Sequence, residues 1–200
     1  MSELNSGEDE FYNRIFKGEN HQGATFINKE FDSCHFQACD LSEASFKNCH
    51  FIECYFEKCN LNALSVNNSK FSDVVFNNCK LSGVDWTKAY WRDLALSSAL
   101  KFKDSMLNSC SFYGLNQTEI EINACRAHDV DFREADFSKA NFTDTDLSNS
   151  LFSNTNLTGA KFNGAINYDI NINKNKVSDA TFCRLEAIRL LDSLGINLVD

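Results

Sequence analysis

Cysteine and histidine are the side chains in this sequence with the widest chemical range. The chain contains nine Cys and four His residues. Thiolates and imidazoles hold zinc when they recur in closely spaced pairs. Cys-x-x-Cys pairs do not occur, and His21, His35, His50 and His128 show no ligand spacing. The sequence therefore predicts no metal site and no cofactor.

Catalytic motifs give the same result. The Ser, His and Asp residues do not follow the order of a catalytic triad. The sequence has neither a Gly-x-Ser-x-Gly nucleophile elbow nor a glycine-rich phosphate loop. We therefore expect no catalytic residues, and a protein that is not an enzyme.

The spacing of the cysteines indicates a structural role instead. The cysteines from Cys34 to Cys79 are separated by multiples of five residues, as are Cys110 and Cys125. A free Cys behaves as a small buried hydrophobe, and a reducing compartment disfavours disulfides. We expect these eight side chains to point inward, with Cys183 outside the pattern. The eight are Cys34, Cys39, Cys49, Cys54, Cys59, Cys79, Cys110 and Cys125.

A large apolar residue accompanies the cysteines at every fifth position. The series runs from Phe26 to Leu96, slips by one residue within 97–101, and resumes from Phe102 to Phe182. A period of five fits neither a helix nor a flat strand. A short bent segment that points its centre and the residue two before it inward forms one side of a coil, and such sides stack about 4.8 Å apart. The sequence thus predicts an all-β solenoid, with room for the slip but not for long loops.

The best repeats resemble a known family. Ala135–Lys139 and Ala140–Asp144 match the A-(D/N)-(L/F)-x-x signature of pentapeptide-repeat proteins, and further partial matches follow at Asp146 and Asn156. The resemblance covers roughly residues 11–182. It implies a right-handed quadrilateral β-helix, with four pentapeptides in each coil and about eight coils in all.

Within that family, the chain is most similar to the Qnr quinolone-resistance and albicidin-resistance proteins. The shared-looking pieces are Gly83–Thr87, Phe112–Leu115 and Leu190–Leu194. Such proteins are dimers that bind DNA gyrase or topoisomerase IV, mimic a rod of DNA, and protect the enzyme from inhibitors. The resemblance implies this function, in antibiotic resistance or self-immunity. The alternative is a pentapeptide-repeat scaffold that binds another, non-topoisomerase protein.

The charge of the chain agrees with a protein partner that has a basic surface. The net charge is −9 and the pI is about 4.9, so we expect repulsion from nucleic acid and attraction to basic surfaces. If residues twenty apart share a face, with one residue added after the slip, Glu53, Asp73, Asp93 and Glu134 form one column. An ordinary solvated exterior is the alternative interpretation. The predicted partner-binding acidic surface comprises Glu53, Asp73, Asp93, Asp129, Asp131, Glu134, Asp136, Asp144 and Asp146.

The two ends differ from the repeat. Residues 1–10 are acidic and lack the basic start and apolar core of a secretory signal, so we expect a mobile segment and a cytoplasmic protein. No apolar run is long enough to span a membrane. Residues 183–200 carry an apolar stripe at helical spacing, which predicts a helix that caps the coil and, by resemblance, forms a homodimer. Plugging its own coil is the alternative. The predicted dimer residues are Leu185, Ile188, Leu191, Leu194, Ile196 and Leu198.

Overall fold

The computed structural model describes Leu4, residues 7–91 and residues 100–196. Over this part the chain winds into a right-handed, four-sided β-solenoid of about eight coils, as the five-residue period predicted. Paired strands run parallel, and before residue 77 each pairs with the segment twenty residues further on. The walls are therefore parallel sheets one short strand wide.

The strands are only two or three residues long because the chain turns a corner after every pentapeptide. Ten of the described strands precede residue 78, and four follow residue 100. The strands are β1 Glu10–Tyr12, β2 Ile15–Lys17, β3 Thr25–Ile27, β4 Glu30–Asp32, β5 His35–Gln37, β6 Ser45–Lys47, β7 His50–Ile52, β8 Tyr55–Glu57, β9 Lys70–Ser72, β10 Val75–Asn77, β11 Lys101–Lys103, β12 Glu121–Asn123, β13 Lys161–Phe162 and β14 Thr181–Phe182.

Ladders of apolar side chains fill the coil. The rings of Phe16, Phe36, Phe56 and Phe76 stack with centroids 4.8, 4.4 and 5.0 Å apart, which follows the spacing of the strands. Each such burial contributes about 1.5–3 kcal/mol. The side chain of Phe137 in the second half is equally buried. The predicted inward direction of the fifth residue is confirmed.

In strand-like sides the small inward residue adds a side-chain donor to the carbonyl of a central residue that already belongs to a parallel ladder. The Cys54 thiol donates to the Phe31 carbonyl at 3.2 Å, across 23 residues, and the Ser69 hydroxyl donates to the Phe46 carbonyl in the same way. The eight cysteines are buried as predicted, and seven of them donate such a bond to the preceding coil.

Other sides of the coil close as tight turns. Here the backbone N–H three residues after the centre donates to the carbonyl of the central residue, as from Ala44 to Leu41 at 3.1 Å and from Ala140 to Phe137 at 3.0 Å. Turn-like sides predominate after residue 104, and strand-like sides before residue 60. The two halves of the solenoid thus differ in the proportion of strand-like and turn-like sides, whereas inward hydroxyl groups of the second half, such as that of Thr155, donate across coils as the thiols do.

The predicted slip within 97–101 gives the right five-residue phase but the wrong length of the insertion. Phe76 pairs with Phe102, 26 residues away instead of 20, so six residues are inserted, which is one pentapeptide more than the predicted one-residue slip. Trp91 still belongs to the wall of Phe71, because the two rings lie 6.4 Å apart. Apolar residues continue at every fifth position up to the insertion, so the sequence alone does not reveal its length. Only strand pairing shows which residues share a wall. Residues 92–99 lie outside the described part of the chain.

The amino-terminal coil begins earlier than predicted. The sequence predicted that residues 1–10 are mobile, yet Leu4 is buried and Glu10 pairs with Glu30 in β1 and β4. Phe11 and Phe16 lie in the core of this first coil. Within the predicted mobile segment, Leu4 and Glu10 therefore belong to the folded unit.

The carboxyl-terminal cap is shorter than the predicted helix. One 3-10 turn at Glu186–Ile188 leads into α1, Arg189–Asp192. The described helices are too short to cross a membrane. Leu190 packs against the core. Just before the cap, the apolar series breaks at Asn167, and Tyr168 fills the core there.

Candidate protein-binding surface

The predicted acidic column holds only in part. Glu53 and Asp73 lie on one corner of adjacent coils, where the Glu53 N–H donates to the Ser72 carbonyl at 2.8 Å. Glu134 lies instead on another corner, next to Gly114. The six-residue insertion, absent from the predicted register, accounts for the difference. Asp93 lies outside the described residues.

The corner that carries Asp73 is partly neutralised beyond the insertion. On the wall that carries Trp91, the next central residue along the rod is Gln117. The corner residues beyond the insertion are therefore Glu119 and, one coil later, Lys139. Their side chains form an ion pair of 3.2 Å. A continuous acidic column along the whole rod is therefore absent from the described residues.

Three predicted surface carboxylates serve the backbone of the coil. The side chains of Asp131, Asp136 and Asp146 each accept the N–H of the residue two further on, at 3.1, 3.0 and 3.2 Å. This is the local turn that Asp and Asn side chains favour. It explains the Asp or Asn of the repeat signature. The same bond is made by Asn20, Asp40, Asn60, Asp85, Asn141, Asn156 and Asn171.

Two of these three carboxylates also have a basic partner. Arg133 donates two hydrogen bonds to Asp131, at 2.9 and 2.7 Å, and these lower the pKa of the carboxyl group. Asp146 lies 2.7 Å from His128. Burial raises the pKa of Asp146, but hydrogen bonds from Asn167, Ser148 and His128 more than offset this and lower it well below its usual range. Both carboxylates are ionised and already engaged.

The remaining predicted carboxylates of this stretch are exposed but do not share a face. Asp129, Glu134 and Asp144 are corner residues with φ of 56°, 61° and 56°. Each follows a different side of the coil, because their positions differ by one, two or three pentapeptides and four complete a coil. The structure therefore does not bring the stretch Asp129–Asp146 together as one acidic patch.

A different acidic surface lies on the first four coils. Glu10 pairs in register with Glu30, and Tyr12 with Asp32, on the wall whose corner carries Glu53 and Asp73. We call Glu10, Glu30, Asp32, Glu53 and Asp73 the acidic wall. Stepping twenty residues would have found the pairs Glu10 with Glu30 and Glu53 with Asp73 in the sequence, but not that Asp32 shares their wall.

The negative charge of the acidic wall affects the pKa of neighbouring side chains. The Tyr12 hydroxyl donates to Glu10 at 3.0 Å. This hydrogen bond, then burial and the nearby charges of Glu10, Glu30 and Asp32, raise the pKa of Tyr12. His50 lies 3.9 Å from Glu30, but burial lowers the pKa of His50, so it supplies little positive charge near neutral pH. Lys70 pairs in register with His50 on the same wall, so five carboxylates face one ammonium group and the wall stays negatively charged.

The carboxyl-terminal cap presents a second candidate surface, which is apolar. Leu185 is 83% exposed and Ile188 56%. Leu194 and Ile196 are also exposed, and Leu191 is half-buried. Leu198 lies outside the described residues. The predicted dimer residues that can be located thus face mainly outward rather than onto the coil.

Cysteine chemistry does not add a site. The described residues hold no group of three or more His, Cys, Asp or Glu side chains that could bind a metal ion. The nine cysteines are free. Burial raises the pKa of Cys110 and of Cys125 to about 12, so these thiols are poor nucleophiles and poor ligands.

Known proteins share this architecture. A family model described as a pentapeptide repeat region matches residues 29–100 and 95–162. A trypsin-treated variant of QnrB1, a plasmid-mediated fluoroquinolone resistance protein, has a similar structure with a TM-score of 0.63 at 18% identity, covering 95% of this chain and 100% of that one. HetL, a pentapeptide-repeat protein involved in heterocyst differentiation regulation in the cyanobacterium Nostoc, gives 0.56 at 13% identity, covering 88% and 87%. Curated proteins give no significant match. The family model spans more than half of the chain, which therefore belongs to the pentapeptide-repeat family.

Proposed function

We propose that this protein binds DNA gyrase or topoisomerase IV as a mimic of DNA and protects the enzyme from inhibitors. Such protection would serve antibiotic resistance or self-immunity. The observation that carries the proposal is the acidic wall, which places Glu10, Glu30, Asp32, Glu53 and Asp73 on adjacent coils of a rigid rod. The proposed role is binding without catalysis, in the cytoplasm where these enzymes act.

Electrostatics supports a basic partner. The coils repeat about every 4.8 Å, a step similar in scale to the phosphate spacing of about 3.4 Å along one DNA strand. Carboxylates held at this spacing on a rod can occupy a basic groove that otherwise binds phosphates. The net charge of −9 favours the encounter at long range. Free DNA is repelled by the same charges.

The exposed cap supports a homodimer as part of the proposal. Leu185, Ile188, Leu194 and Ile196 place apolar surface in water at the end of the rod. Contiguous exposed apolar surface commonly marks a protein interface. Joining two cap segments would bury these side chains and double the length of the rod.

A scaffold for another protein is the second candidate function. The similarity to HetL supports it, because that relative is described as acting in heterocyst differentiation regulation. The short length of the acidic wall also favours a smaller basic partner. The two candidates differ in whether purified gyrase binds the protein.

The test is a gyrase supercoiling assay with a quinolone, and separately with albicidin, together with a direct binding measurement. We expect wild-type protein to restore supercoiling. Charge reversal of Glu10, Glu53 and Asp73 to Lys should weaken gyrase binding by about tenfold or more, because charge pairs at interfaces are worth several kcal/mol in total.

The matched control reverses three exposed carboxylates that lie on separate corners, Asp129, Glu134 and Asp144. It changes the net charge equally and should retain most of the binding. Equal loss in both variants would reject the acidic wall as the contact surface. No binding by the wild-type protein to gyrase or topoisomerase IV would favour the scaffold alternative.

A further inference from the structure

The amino-terminal end of the solenoid carries three edge strands. Within the described residues β1, β2 and β3 stand at the ends of their sheets, each paired on one side only. An edge strand presents unpaired N–H and C=O groups that can pair with another chain. The first coil is therefore the place where a second copy could continue the sheets.

The apolar layer beneath this edge is nevertheless covered. Phe11, Phe16, His21 and Phe26 form the first layer of the ladders, and none is more than 4% exposed. Leu4 is 2% exposed and belongs to the same apolar cluster. Its burial places the Leu4 side chain over the end of the core.

Lys29 anchors the segment before β1 from below. It occupies the repeat position that otherwise holds a small, inward-pointing residue. Cys34 and Cys39 fill this position in the next two sides of the coil. Its ammonium group donates to the Glu8 carbonyl and lies 2.7 Å from the Asp9 carboxylate. Arg14 adds an ion pair to Glu8 at 3.3 Å. A lysine breaks the repeat here because it holds the chain across the open end.

The same segment concentrates negative charge at the edge. Glu8, Asp9 and Glu10 are consecutive and exposed. Two copies that approached end to end would bring six such carboxylates together against two Lys29 and two Arg14 side chains, and the excess of like charges at close range repels. Charges beside an edge strand are a common device against strand-to-strand association.

We infer that Leu4 and residues 7–10 form a lid that blocks end-to-end association of two copies through β1, β2 and β3. Leu4 covers the apolar layer, Lys29 and Arg14 hold Asp9 and Glu8 in place, and the excess of acids over these two cations repels a second copy. The lid acts at the opposite end of the rod from the proposed dimer surface. It does not depend on the proposed partner.

The test measures the mass of the full chain by sedimentation velocity over a range of concentrations. A background with Leu185→Asp and Ile188→Asp removes association through the cap. The first lid variant adds Leu4→Asp and Lys29→Met, and the second adds Glu8→Gln, Asp9→Asn and Glu10→Gln. The matched control adds Asp129→Asn, Glu134→Gln and Asp144→Asn, which changes the net charge as the second variant does.

We expect both lid variants to approach twice the monomer mass as concentration rises, while the control and the background stay monomeric. If Leu4→Asp unfolds the first coil, seen as lost circular dichroism, the second variant carries the test because it keeps Leu4 and Lys29. A folded second variant that remains monomeric at all concentrations would overturn the inference. Equal association of the control would also overturn it, since the effect would then follow from net charge alone.

Discussion

The first four coils and the last four coils share one fold but stabilise it differently. Early sides are mostly strand-like, with parallel backbone pairing between coils, to which thiols such as that of Cys54 add a bond. Late sides are mostly turn-like, and the backbone closes on itself with help from Asp or Asn side chains such as that of Asp136. Several of the late carboxylates are thus already hydrogen-bonded to the backbone. The early carboxylates of the acidic wall stay available for a partner.

The ladders are common to both regions, so their loss should have the largest effect in either. Replacing Phe36 or Phe142 with Ala should each lower the free energy of unfolding by about 3–5 kcal/mol. Both rings are fully buried and stacked between coils. Chemical denaturation followed by circular dichroism measures the change. A cost below about 1 kcal/mol at one site would mean that the two halves do not share the same core.

The thiol bonds add a second donor to carbonyls that the backbone already pairs, so their loss should have a moderate effect. Cys54→Ala removes one donor to the Phe31 carbonyl, which keeps its place in the parallel ladder, and should cost about 1 kcal/mol, whereas Cys54→Ser keeps a donor, as Ser69 does. Cys110→Ala tests a turn-like side and should cost a similar amount, because the Leu81 carbonyl also accepts the Val84 N–H at 3.4 Å. Denaturation midpoints would compare the three variants. A much larger cost at Cys54 than at Cys110 would show that the thiol is the main partner of the Phe31 carbonyl.

The turn role of the late carboxylates predicts a smaller effect. Asp136→Ala removes the acceptor for the Ser138 N–H and should cost about 1 kcal/mol, whereas Asp136→Asn retains an acceptor and should be nearly neutral. Glu53→Ala in the acidic wall should leave stability within about 0.5 kcal/mol. Thermal unfolding would test all three. A marked loss for Glu53→Ala would show that the early carboxylates are also structural.

Acid should weaken the late region through Asp146. Its folded pKa lies below the unfolded value of about 3.9, so its carboxylate stabilises the fold above that pH. This stabilisation is lost as the pH falls from the unfolded pKa towards the folded pKa of Asp146. Asp146→Asn should therefore show a flatter decline of unfolding free energy between about pH 5 and pH 3 than wild type. The exposed Asp129→Asn serves as control, and parallel curves for all three proteins would argue against the role of Asp146.

The five-residue period alone determined which side chains enter the core. Phe46, Cys54 and Phe137 could be placed inward from sequence because burial within a bent pentapeptide is a local property, set by which residue lies at its centre. The number of sides, their stacking and the inward cysteines followed from the same period and from the family resemblance. The signature Asp could be recognised as a repeat element, but its bond to the backbone could not.

Tertiary structure alone decided the register across the insertion and, with it, the charged surface. Phe76 and Phe102 are neighbours because strands pair across coils, and nothing within a single pentapeptide records that distance. Asp136 and Glu134 differ in role because one side chain reaches back to a turn while the other projects from a corner with positive φ. Surface composition depends on which coils are adjacent, whereas the composition of the core does not.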